Sequence, residues 1–152
     1  MTETSHDIST LNSLIATTLD SVHGYTDAAA DTQNGRYGQM FTARAAERSD
    51  VVTALQGEVS RLGGAPEDDG TMLAGAHRAF LGLKAAVTGQ DDKAIVNEVE
   101  RGEDHIKAKF ESAIEDKELS AETRSAVQEA YRSVRAGHDE MRDLKHALEG
   151  SN

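Results

Sequence analysis

Pro66 is the only proline among 152 residues, and it stands in Gly63-Gly64-Ala65-Pro66-Glu67-Asp68-Asp69-Gly70. Proline lacks a backbone N–H and clashes with the preceding helical turn, and glycine disfavours helix, so helix-forming sequence stops clearly here. Long stretches of helical periodicity lie on both sides. Two helical hairpins joined by one long interruption predict an all-α four-helix bundle, the simplest arrangement that hides all four apolar stripes.

From about Leu11 to Ala30, apolar or small side chains recur at Leu11, Leu14, Ile15, Thr18, Leu19, Val22, Tyr25, Thr26 and Ala29, which is a helical period. Residues 1–8 precede this pattern and read as a flexible N-terminus. Asp31-Thr32-Gln33-Asn34-Gly35 is a turn short enough to force the next helix back antiparallel. That helix runs from about Arg36 to Leu62, with Met40, Phe41, Val51, Leu55, Val59 and Leu62 on one side, and Gly63-Gly64 stops it. Segment 63–90 reads as a crossover. Within it, Thr71 to Val87 predicts a helix about 25 Å long, close to the length of a bundle. Asp91 or Asp92 caps the third long helix, whose face carries Ile95, Val99, Gly102, Ile106, Phe110 and Ala113. Ser120 caps the fourth. Its seam of Val127, Tyr131, Val134, His138, Met141, Lys145 and Leu148 alternates steps of four and three, as in a helix lying along a nearly parallel neighbour.

Composition narrows the function. With no cysteine, thiolate metal sites, disulfides and cysteine nucleophiles are excluded, and a reducing compartment fits. A net charge of −11 and the lack of tryptophan oppose phosphate backbones and base stacking, so nucleic acid is not an expected partner. No apolar run approaches membrane-spanning length, and the acidic balance opposes anionic lipid. The reading is a single cytoplasmic domain over residues 1–152. No strand-borne Gly-x-Ser-x-Gly elbow or phosphate loop exists to support hydrolase or nucleotide chemistry.

Leu11-Asn12-Ser13-Leu14-Ile15, Gly24-Tyr25, Arg61 to Asp68, Gly70-Thr71, His77-Arg78 and Glu100-Arg101-Gly102-Glu103-Asp104 follow one another along the chain. In order and spacing these pieces resemble a bacterial ferritin-like family of four-helix-bundle proteins of unknown function. The resemblance implies a ferritin-like bundle with a helical crossover and no established activity. Di-iron carboxylate bundles use paired Glu-x-x-His motifs. The nearest spacings here, Asp20-x-x-His23 and Asp143-x-x-His146, fall off the apolar stripes and are expected to face outward.

Projected at about 100° per residue, Glu103 and His138 turn inward, and Arg44 and Arg48 fall beside Val51 and Leu55, with Glu47 and Glu58 flanking the same stripe. Buried charges need partners. One reading pairs Arg48 with Glu103, hydrogen-bonds His138 beside them, and lets His77 pin the crossover. The other makes Glu103 and His138, with Glu100 or Glu47, ligands for iron or manganese between helices three and four. The functional expectation is a bundle that needs no cofactor and acts non-catalytically, through a homo-oligomer or a protein partner, with stress conditions added only by fold-level analogy. Its alternative is an iron- or manganese-binding protein.

Overall fold

The computed structural model describes residues 2–32, 35–68 and 92–150. They form four α-helices: α1 (Thr2–Asp31), α2 (Gly35–Arg61), α3 (Asp92–Ile114) and α4 (Ala121–Gly150). The expected helix over residues 71–87, and His77 with it, lies outside the described residues. Among the described residues there is no strand.

Helices α1 and α2 pack as one hairpin and α3 and α4 as the other; α1 lies beside α3, and α2 beside α4. Side-chain contacts fix the directions. His6 near the start of α1 meets Asp116 just past α3, and Arg61 at the end of α2 meets Glu122 at the start of α4. At the opposite end, Thr32 after α1 donates to Asp92, the first residue of α3, at 2.6 Å. Every neighbouring pair is therefore antiparallel. Helix α2 stops at one end of the bundle and α3 starts at the other, as a bundle with one long crossover requires.

The helix ends show why the elements stop. Gly63 has φ of 86°, a left-handed conformation that suits glycine. Gly63 N–H donates to Ser60 O and Gly64 N–H to Val59 O, both at 3.0 Å, which together make a Schellman end. The chain beyond is tied down by Asn12, which donates to Ala65 O and accepts from Glu67 N–H at 2.8 Å. At the far hairpin, Arg124 of α4 donates to Ile114 O at 3.1 Å and to Asp116 O, satisfying carbonyls at the end of α3.

The N-terminal residues correct the expectation of a flexible 1–8. Helix α1 begins at Thr2, and Asp7 is buried. One Asp7 oxygen accepts from Ser120 N–H at 3.1 Å, and the other accepts from Thr123 Oγ1 at 3.0 Å. Ser120 Oγ accepts from Thr123 N–H at 3.3 Å, so Ser120 caps α4 and a carboxylate from α1 completes that cap. Burial pushes the Asp7 carboxyl up, but the hydrogen bonds from Ser120 and Thr123 outweigh it and leave the group below its ordinary value. A lone acid before the first apolar repeat gives no hint of this role.

Beside it, His6 Nε2 lies 2.6 Å from Asp116 Oδ2. The hydrogen bond to Asp116 raises the His6 pKa above 6.5, against the pull of desolvation. A raised value stabilises the fold fully below the ordinary pKa, and that stability is lost as pH rises through the folded one. His6→Gln should therefore lower the melting temperature at about pH 5.5 and by much less at about pH 8.5, as followed by circular dichroism. A difference that grows with pH would refute the pairing.

Among the described residues the core has two apolar parts. One gathers Leu11, Ile15, Val51, Leu55, Ile106, Phe110, Val127 and Val134. The other gathers Tyr25, Phe41, Ile95, Val96, Val99 and Met141. Between them lies a polar layer to which all four helices contribute.

Candidate functional site

Each helix reaches this layer through a residue in the middle of its buried stripe: Ser21 on α1, Arg48 on α2, Glu103 on α3 and Gly137 on α4. Arg48 is 0% and Glu103 1% exposed. Arg48 Nη1 donates to Glu103 Oε1 at 2.8 Å and Nη2 to Oε2 at 2.7 Å, the two-pronged geometry that guanidinium and carboxylate planes favour. Nη1 also donates to Ser21 Oγ at 2.7 Å. The Tyr25 hydroxyl donates to Glu103 Oε2, and the Arg48 guanidinium carbon lies 5.5 Å from the centre of the Tyr25 ring.

The charges sustain one another. Burial first, and the Glu103 carboxylate second, hold the Tyr25 phenol well above its ordinary value, so it remains a donor. Desolvation works against the Arg48 cation, but the charge of Glu103 outweighs it and raises the pKa. Among the described residues the Arg48 Nε has no hydrogen-bond partner. Gly137 makes the layer possible: a Cβ there would collide with Arg48 Nη2 and lie 2.9 Å from Glu103 Oε2.

His138 is not part of this layer, which corrects the expectation that it bonds beside the ion pair. It is buried on α4, yet its Nε2 lies 2.7 Å from Asp104 Oδ1 and its Nδ1 3.3 Å from Asp139 Oδ1. Of the expected ligands Glu103, His138, Glu100 and Glu47, His138 and Glu100 come together, but Glu103 and Glu47 do not join them. Both Glu103 oxygens are engaged with Arg48, and Glu47 accepts from Arg44 at 2.7 Å and from Ser133 Oγ at 2.5 Å. Arg44 Nε also donates to Glu140 at 2.8 Å, joining α2 to α4. What does come together is Glu100, Asp104 and His138, whose donor atoms lie within 4.8 Å of one another. Their fit to iron or manganese is poor. The Lys145 ammonium is 3.3 Å from Glu100 Oε1, and the Asp104 side chain is 58% exposed, so a metal would have to displace a cation from a wet, three-donor set.

Asp20 corrects another expectation, since it is buried rather than outward. Its spacing partner His23 is exposed, as are Asp143 and His146. Tyr25, Ser21 and Gly137 were not expected in the polar layer. Tyr25 reads as one more apolar position on its stripe, and only its hydroxyl hints otherwise.

A family model described as a domain of unknown function, DUF2383, matches residues 6–116. The chain belongs to the DUF2383 family. No curated protein matches it. The DUF2383 match contains Ser21, Tyr25, Arg48 and Glu103, while Gly137 and the rest of α4 fall beyond it.

Along the outer seam of α2 and α4 a groove of about 350 Å³ opens. Val51, Ala54 and Leu55 of α2 and Ala126 and Ala130 of α4 line its apolar part. Val51 and Leu55 are themselves largely buried, whereas Ala54 is exposed. No described helix is long and apolar enough to cross a membrane.

Proposed function

We propose that this DUF2383 protein acts without catalysis, by holding another protein on the outer surface of a rigid bundle. The α2/α4 groove carries the reading. It offers apolar surface to solvent beside a core whose buried acid, base and phenol are engaged with one another rather than aimed at a substrate cavity. A preformed apolar groove on two packed helices suits helix-in-groove recognition, which needs a stable surface and no reacting group.

Photo-cross-linking in cells tests this. A benzophenone amino acid in place of Ala54 should give discrete protein adducts, whereas the same group in place of exposed Ala108 on α3 should not. No adduct from Ala54, or the same adducts from both positions, would defeat the reading.

A further inference from the structure

We propose that the α2/α4 groove receives a basic amphipathic helix from a different protein, rather than a second copy of this chain. This deepens the partner-binding reading and rests on it. The warrant is the charge around the apolar floor. Glu47, Asp50 and Glu58 of α2 and Glu129 of α4 line the groove, and among the described residues no lysine or arginine does. Asp50 and Glu58 stand four residues to either side of Ala54, so the exposed apolar position is bracketed along one helix face by carboxylates.

Three of these acids have a local cation. Glu58 accepts from Arg61 at 2.9 Å, Glu47 from Arg44, and Glu129 from Arg132 at 3.4 Å. The Glu129 pair is exposed on both sides and easily exchanged, and Asp50 is exposed with no ion-pair partner among the described residues. From Glu47 to Glu58 the acidic stretch covers three turns of α2, roughly 16 Å at the helical rise, which sets the partner segment at about three turns. Past Glu47 the seam is charge-mixed, lined by Arg36 and Arg44 together with Glu140, so the purely acidic stretch ends there.

A second copy fits badly. A two-fold interface on this face would set the same four carboxylates against themselves, on a chain whose net charge is already −11. A helix with leucines at steps of three and four, flanked by lysines, brings the complementary pattern: its apolar edge meets exposed Ala54 and half-buried Ala126, and its ammonium groups reach the rim.

The probe is a fluorescent amphipathic peptide of about fourteen residues, built from leucine and lysine at that spacing; companion peptides carry glutamate or glutamine in place of lysine. On the full chain, the lysine peptide should bind saturably, shift the amide signals of Ala54 and Ala126, and weaken as salt rises. Asp50→Lys with Glu129→Lys should weaken its binding at least about tenfold, whereas Glu115→Lys with Glu118→Lys, which changes net charge equally at another exposed place, should change it less than about twofold. Equal losses from both pairs would reduce the effect to bulk attraction and overturn the proposal. Glutamine peptide bound at Ala54 and Ala126 as tightly as the lysine peptide would overturn the basic partner while leaving partner binding intact. Cross-links from Ala54 only to a second copy, or only to residues 71–87 of the same chain, would likewise overturn it. If none of the peptides shifts those signals and Ala54 gives no cellular adduct, the partner-binding reading falls as well.

Discussion

Glu103→Ala is expected to cost about 3 kcal/mol of stability, because it leaves the Arg48 guanidinium buried at 0% exposure with no counter-charge. At roughly 3 °C per kcal/mol for a domain of this length, the melting midpoint should fall by about 10 °C. Glu98→Ala is the control. Glu98 pairs with Arg101, whose side chain is 60% exposed, and such a pair contributes about 0–1 kcal/mol. The penalty belongs to the stranded charge rather than to the lost contact, since a buried ion pair can often be replaced by apolar side chains at little net cost. Arg48→Met combined with Glu103→Leu should therefore be more stable than Glu103→Ala alone. Equal midpoints for Glu103→Ala and Glu98→Ala would show that the pair is solvated.

Gly137→Ala should also destabilise, by about 2 kcal/mol, although the same change within an ordinary helix stabilises by roughly 0.5–1 kcal/mol. The sign is the test. A methyl at this position overlaps Arg48 Nη2, and the guanidinium cannot swing aside without giving up its bonds to Glu103 and Ser21. Thermal melts of Gly137→Ala alone and on the Arg48→Met, Glu103→Leu background separate the causes. In the second setting most of the loss should disappear, and a loss of unchanged size would assign it to the α4 backbone instead.

The bundle and the inward placement of Arg48, Glu103 and His138 were legible from angle alone, because a charge on an apolar stripe is visible in a helical projection. Partner choice was not. Projection gives direction around an axis but not position along the neighbouring helix, so His138 was placed beside Glu103 when its imidazole in fact reaches Asp104. Gly137 was overlooked for a related reason: its requirement comes from an arginine on another helix, and nothing in the α4 sequence records that approach. Asp7 was read as part of a loose end because its partners, Ser120 and Thr123, lie more than a hundred residues away. The groove on α2 and α4 was equally hidden, since it depends on which alanines of two separate helices stand side by side.

The polar layer between the two apolar parts also acts as a vernier. If α3 slid by one turn, Arg48 would face Val99 or Lys107 instead of Glu103, leaving an ion against hydrocarbon or against its own sign. Intermediate offsets are no better, because both prongs of the guanidinium must find oxygen together. The helices thus share one longitudinal setting, and the partner proposed for α2 and α4 would meet a template of fixed spacing rather than one that adjusts to its guest.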